Sequence, residues 1–165
     1  MDKFDAFYHT HTRFVYAIAL SRGLPPCEAE DLTQETFLRA WNHFWQVAAF
    51  ELPAQRAWLR RVLHNLANDA WQRNRSSTIE EEEQAAAPAE SVEDMALRLD
   101  VARALSRLEE KDREIAVLRY FLQMNSREIG ELLQIPESTI RRRLMDCRKH
   151  LAEQLLPWGP GGERS

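Results

Sequence analysis

At 165 residues, 44% hydrophobic and 29% charged, the chain has a soluble globular composition and the length of one ordinary domain or two small ones, not of a fibre or a fully disordered polymer. Its formal net charge is -4, and its only cysteines, Cys27 and Cys147, stand far apart without a C-x-x-C partner, so neither a disulfide framework nor a structural zinc site is expected. The opening MDKFDAFYHTHTRFVYAIAL contains no basic leader, and no apolar run reaches the roughly 18 residues that a bilayer requires, so the expectation is a cytoplasmic protein without membrane insertion.

Apolar residues recur at helical rather than alternating spacing on both sides of residues 76–99, which predicts an all-α protein. The first helix runs from Phe4 to Leu20, with Phe4, Phe7, His11, Phe14 and Ile18 as one stripe, and Gly23-Leu24-Pro25-Pro26 stops it. His9 and His11 are spaced for different helix faces and have no third ligand nearby, so no metal is expected there.

A second helix is predicted to start near Glu28. At about 100° per residue, Leu32, Thr33, Thr36, Phe37, Ala40 and Phe44 share one side, while Asp31, Gln34, Glu35 and Leu38 share the other. That outward side is acidic but carries a leucine; a partner surface and an ordinary exposed leucine are both compatible with it. The third helix, from about Ala54 through Trp71, has Trp58, Val62, Leu66 and Ala70 as its predicted inner side. It also interleaves Arg60, Arg61, Arg73 and Arg75 with Trp58, Trp71, Asn65 and Asn68. Cations neutralise phosphates, aromatic faces stack on unpaired bases and amides read base edges, a mixture suited to single-stranded nucleic acid. Tryptophans at helical spacing are more often core residues than base platforms, so these residues alone give only a weak signal.

Charge then changes character. Residues 1–75 hold 9 Lys+Arg against 8 Asp+Glu and residues 100–165 hold 12 against 11, whereas residues 76–99 hold 1 against 7. STIEEEEQAAAPAESVED offers too little apolar surface to offset its ordering entropy and is expected to be a flexible acidic linker between two small helical units.

Beyond it, Leu97, Val101, Ala104, Leu105 and Leu108 mark one amphipathic helix, and Ile115, Leu118 and either Phe121 or Leu122 a second. Asn125 stands three residues before Glu128, the spacing of a capping box, and begins a short helix, Ser126 to Leu133, with Gly130 where a close crossing favours a small residue. Pro136 precedes the next helix. The length and punctuation are those of a helix-turn-helix. On the last helix Ile140, Leu144, Cys147 and Leu151 form a narrow buried stripe; Arg142 and Lys149 face away from it, with Ser138 joining that outer face. Arg141 and Arg143 fall on opposite flanks, so the three adjacent arginines form a fan, suited to base edges at its centre and to phosphates or neighbouring protein at its sides.

Three stretches in order give the chain a family resemblance. DLTQETFLRAW (Asp31 to Trp41), WLRRVLHNLANDAWQRNR (Trp58 to Arg75) and SREIGELLQIPESTIRRRL (Ser126 to Leu144), around an acidic linker, resemble the bacterial RNA polymerase sigma factors of the extracytoplasmic-function group. The resemblance implies region 2 over residues 1–75, a linker over 76–94, region 4 over 95–156 and a flexible tail over 157–165. It implies that Asp31, Gln34, Glu35 and Leu38 dock on the clamp coiled coil of the polymerase β′ subunit, and that Trp58, Arg61, Asn65, Asn68, Asp69, Arg73 and Arg75 melt and read the -10 promoter element, aided by the loop Phe50 to Gln55. Ser138, Thr139, Arg141, Arg142, Arg143, Asp146 and Lys149 would read the -35 element.

The implied partners are core RNA polymerase, through β′ and the β subunit, promoter DNA and an anti-sigma factor; the acidic linker would lie in the RNA-exit path. The length leaves no room for the extra domains of primary sigma factors. The sequence departs from the family at Gly130, where alanine is common, at Ser138, where glycine is common, and at Asp146, where a basic or small residue is frequent; Asp146 repels phosphate or accepts from a cytosine amino group. No phosphate-cradling glycine loop, nucleophile elbow or spaced Cys/His set is present, so no catalytic residue and no cofactor is expected, and RNA synthesis would belong to the polymerase. The other reading of the residues is a stand-alone helix-turn-helix DNA-binding regulator.

Overall fold

The computed structural model describes residues 2–74 and 103–155, apart from the side chains of 70–74 and 155, and the regular elements among the described residues are all helical. In order these are α1 (Lys3–Ser21), α2 (Pro26–Asn42), α3 (Phe44–Ala48), α4 (Leu52–Asn74), α5 (described over 103–106), α6 (Glu110–Tyr120), α7 (Ser126–Leu133) and α8 (Glu137–Leu155). The expected linker and tail lie outside the described residues, as do Leu97 and Val101.

α1 buries its predicted stripe: Phe7, His11, Phe14 and Ile18 are buried, and Phe4 packs against them at the edge of the core. It stops where Gly23 takes φ +82°, a left-handed conformation that favours glycine, and its N–H donates to Leu20 O at 3.0 Å. α2 starts at Pro26, slightly before the predicted Glu28, because proline at the first helical position loses a hydrogen bond that no helix would have made. Its inner side is as the wheel predicts, and the buried Thr33 and Thr36 hydroxyls are satisfied by donating to the carbonyls of Ala29 and Leu32, at 2.7 and 2.8 Å. A turn at His43 then separates the short α3, so the predicted core residue Phe44 reaches the core from α3 rather than α2.

α4 differs from its sequence reading. Its centre of burial is Leu59, Leu63, Leu66 and Ala67; Trp58 and Val62 are only half-buried, and the side chain of Ala70 lies outside the described residues. The helix is covered from two directions: by α1 and α2 through the leucines, and by α7 and the α6 carboxylate of Glu114 across Arg56, Arg60 and His64, one residue per turn. Two-sided packing widens the inner face beyond a single stripe.

The two units share one apolar core. Ile115 and Leu118 of α6, Met124, Ile129 and Leu132 around α7, and Ile140 and Leu144 of α8 join the same buried cluster as Phe14, Ile18 and Leu63. α1 is the common wall, contacting α2 and α4 on one side and α6 on the other. Leu122, not the exposed Phe121, completes the α6 stripe. Each fully buried Ile or Leu stabilises the packing by about 1.5–3 kcal/mol, whereas a buried ion pair roughly breaks even, so apolar contact supplies the cohesion and polar contacts set the register.

Those polar contacts converge on Glu114, 5% exposed on α6. Arg60 of α4 grips its carboxylate with two bonds, Nη2 to Oε1 at 2.8 Å and Nε to Oε2 at 3.2 Å, and His64 Nε2 approaches Oε2 at 3.2 Å. Arg22, just past α1, bonds His64 Nδ1, reaches Asn68 Oδ1 at 2.9 Å and pairs with Glu110 at 3.2 Å. Burial pushes the Glu114 carboxyl up, but the bonds and charges of His64 and Arg60 outweigh it and hold the group below its ordinary range. Alongside, Arg113 donates to Ser21 O at 2.6 Å and Arg13 to Phe121 O at 3.0 Å.

The capping box is present in full: Glu128 N donates to Asn125 Oδ1 at 2.8 Å and Asn125 N to Glu128 Oε1 at 3.1 Å. α7 ends on Gln134 at φ 58°, and Ile135 N returns to Gly130 O at 3.0 Å. A Cβ at Gly130 would stand 2.6 Å from Ile135 O, a backbone atom, so the turn into α8 closes only over glycine. Gly130→Val is expected to lower unfolding free energy by about 1–3 kcal/mol in urea melts and to reduce cooperativity of the second unit.

Acid should act in two stages. His11, buried, has its imidazole held below the ordinary value by desolvation, with its Gln55 bond opposing and the Arg56 charge adding. The unfolded chain then takes up that proton first, so this contribution is intact above the ordinary imidazole range and declines as pH falls through it; the Glu114 contribution is intact above the ordinary carboxylate range and is lost as pH falls towards its depressed native value. Urea melts from about pH 8 to about pH 2 should show both declines, with Glu114→Gln flattening the lower one.

Candidate functional site

Three surfaces emerge from this packing. On the first, α2 turns Asp31, Gln34 and Glu35 outward, and Leu38 is 65% exposed. Beside them runs an apolar groove of about 440 Å³ lined by Phe4, Tyr8, Gln34, Phe37, Leu38 and Trp41. Phe4 meets Trp41 edge-on at 4.9 Å, and Lys3 Nζ lies 5.9 Å from the centre of the exposed Trp45 ring. Leu38 is therefore part of an apolar strip with carboxylates along its border. Leu38 and Trp41, three residues apart on α2, form an apolar edge that the core-facing wheel of α2 obscured, and Trp45 is a further exposed aromatic on the separate α3.

The second surface is the far side of α4. Arg61, Asn65, Asn68 and Asp69 are exposed, Asn68 accepting from Arg22, while Trp58 is half-buried and edge-on to His43 at 6.1 Å between ring centres. Arg73 lies within α4 but its side chain, like all of Arg75, is outside the described residues. Arg60 has been drawn away to Glu114. At the start of α4 the connection from α3 exposes Phe50 (44%) and Leu52 (43%), two large apolar side chains beside the basic helix.

The third is the outer face of α8. Ser138, Arg141, Arg142, Asp146 and Lys149 are exposed, and Thr139 and Arg143 half-buried. The arginine fan divides as the wheel suggests. Arg141 pairs with Glu137 at 2.7 Å on its own helix, Arg143 crosses to Asp112 of α6 at 2.9 Å, and Arg142 makes no hydrogen bond or ion pair with a described residue. Behind the face, Cys147 is buried, and desolvation together with Asp112 and Asp146 raises its thiol to about 11, which keeps it protonated and unreactive. Cys27 is a half-buried free thiol. Among the described residues no helix is long and apolar enough to cross a membrane.

Comparison with known proteins matches two stretches of the chain in order. The family signature of Sigma-70 region 2 covers residues 7–77, and that of Sigma-70 region 4 covers residues 98–151. A probable RNA polymerase sigma factor, RfaY of Xanthomonas campestris, is 34% identical over 155 residues; the match takes in 86% of this chain and 38% of the relative, so the chain spans well under half of that protein. The ECF RNA polymerase sigma factor SigL of Mycobacterium tuberculosis is 33% identical over 144 residues, covering 84% of this chain and 81% of SigL. In three dimensions the sigma factor RpoE of Bartonella quintana, solved with the anti-sigma factor NepR, superposes with a TM-score of 0.68 at 24% identity, over 94% of this chain and 98% of that one, a likeness of fold. With both signatures in order and SigL matched over most of its length, this chain belongs to the sigma-70 family of RNA polymerase sigma factors, in its extracytoplasmic-function group.

Proposed function

We propose that the protein is a promoter-specificity subunit: it binds core RNA polymerase, reads -10 and -35 elements and helps open the duplex, acting in the cytoplasm and leaving RNA synthesis to the polymerase. The observation that carries this reading is the presence of three separate exposed surfaces, one apolar and acidic, one of amides beside Arg61 and one arginine-rich, on a chain with both sigma-70 signatures. Asp31, Gln34, Glu35 and Leu38 are proposed to dock on the β′ clamp, with the neighbouring groove and Trp41 enlarging the contact. Arg61, Asn65, Asn68 and Asp69, with Phe50 at the end of the helix, are proposed to hold unpaired -10 bases. Trp58 is too enclosed for full stacking and supports that face from behind. Arg142, with Ser138 and Lys149, is proposed to enter the -35 major groove, and Asp146 to restrict what is read there.

Scale adds a condition. Two elements 25 base pairs apart are separated by about 85 Å of B-form DNA at 3.4 Å per step, roughly twice the width of a compact chain of this length. Reading both at once requires the units to separate, which breaks the Glu114 and Glu110 contacts and frees Arg60 of α4 and the neighbouring Arg22 for phosphate binding. An anti-sigma partner that favours the closed form would fit the same geometry.

In vitro transcription with core polymerase and genomic templates should yield start sites that appear only when this protein is added; tight, sequence-specific duplex binding without polymerase would instead favour a stand-alone regulator. Glu35→Lys combined with Leu38→Ala should abolish co-elution with core polymerase while circular dichroism is unchanged. Arg142→Ala should weaken use of the -35 element by about 1–3 kcal/mol with relaxed specificity at one position, whereas a uniform loss over all sequences would mark a phosphate contact.

A further inference from the structure

His11 is 1% exposed in the middle of α1, edge-on to Phe7 at 4.7 Å between ring centres. A buried imidazole needs a hydrogen-bonding partner, and this one takes it from another helix: Nε2 lies 2.8 Å from Gln55 Oε1. Gln55 stands in the first turn of α4. Its amide nitrogen donates to two carbonyls of the preceding connection, Phe50 O at 2.9 Å and Ala48 O at 3.4 Å. Those two bonds fix the orientation of the amide, nitrogen towards the connection and oxygen towards α1. An amide oxygen only accepts, so the hydrogen must be on His11 Nε2. The result is a directed relay, from the core of α1 through Gln55 to the backbone that carries Phe50.

That connection needs such support. Residues 49–51 lie between α3 and α4 and include neither glycine nor proline, and Phe50 and Leu52 are turned towards solvent. An exposed aromatic side chain on an untethered loop would lose rotational and backbone freedom on stacking with a base; on a tethered one that cost is already met in the free protein.

We infer that His11 is a positioning residue for promoter opening: acting through Gln55, it holds the Ala48–Leu52 connection so that Phe50 is presented to unpaired -10 bases. His11 touches no nucleic acid itself. Desolvation keeps the imidazole neutral, consistent with a single tautomer serving the relay. The inference rests on the -10 reading of α4 and adds to it a residue from α1, more than forty positions away in sequence.

The test uses the full chain assembled with core polymerase and a fluorescent single-stranded oligonucleotide carrying the non-template -10 segment of a promoter identified by start-site mapping. His11→Leu should weaken oligonucleotide binding about tenfold, within the range of one lost stacking contact, while core association and binding to a -35 duplex are unchanged. His11→Gln, whose amide nitrogen can occupy the place of Nε2 and donate, should restore binding to within about threefold. Gln55→Glu leaves the core histidine in place but cannot donate to the two carbonyls, and should reproduce the loss even where His11→Leu fails to fold. Phe50→Ala and Arg61→Ala separate the two ideas. If both weaken oligonucleotide binding while His11→Leu and Gln55→Glu bind as the unaltered protein does, the positioning role is overturned. If Phe50→Ala and Arg61→Ala also bind unchanged, the -10 reading fails and takes the inference with it. Parallel losses in core association, -35 binding and oligonucleotide binding for Gln55→Glu would show a general structural role and likewise overturn the inference.

Discussion

The Glu114 carboxylate constrains this molecule more than any other single group. A charge at that depth is tolerated only with its partners in place, and those partners come from a different part of the chain: Arg60 and His64 from α4, with Arg22 behind them. The pairing determines which turn of α4 faces α6. Once Arg60 and His64 point inward, Arg61, Asn65 and Asp69 must point outward, because they follow at one-residue and five-residue offsets on the same helix. One buried acid thus divides the polar residues of α4 into a bonded side and an available side. The apolar side chains around it supply most of the cohesion, but being non-directional they could not have made that division.

The same division explains where sequence reading succeeded. α1, α2 and α8 each carry one coherent apolar stripe, and for these the wheel identified the buried residues directly: Phe7, His11, Phe14 and Ile18; Leu32, Thr33, Thr36 and Phe37; Ile140, Leu144 and Cys147. The capping box of α7 was legible because it is a local contact between two residues three apart. α4 was misjudged in phase because periodicity assumes one neighbour and α4 has two. The roles of Arg60 and His64 could not be read at all, since their partner lies some fifty positions downstream across a segment whose composition gives no indication of contact. Likewise, nothing local distinguished Gln55 from any polar residue near a helix start; its importance comes from His11 and from two loop carbonyls.

The three adjacent arginines of α8 illustrate how neighbouring identical residues acquire different duties. Arg141 is held along its own helix, Arg143 across to α6, and only Arg142 is left with its donors unassigned to a described residue. Asp112, which holds Arg143, also accepts the weak Cys147 Sγ bond through its carbonyl, 3.7 Å away, so one residue of α6 fixes both a flank of the recognition helix and its buried seam. The orientation of the outer face is set from beneath.

The continuous apolar core also has a thermal meaning. Separating the units would bring Ile115, Leu118, Met124 and their counterparts on α1 into water, a change that raises heat capacity and makes the balance between joined and parted forms depend strongly on temperature. Contacts of this kind weaken on cooling. A macromolecule that holds the units apart must cover the uncovered side chains itself or leave them hydrated, so its grip on this chain should carry a heat-capacity change set by the seam between the units as well as by the area of its own contact.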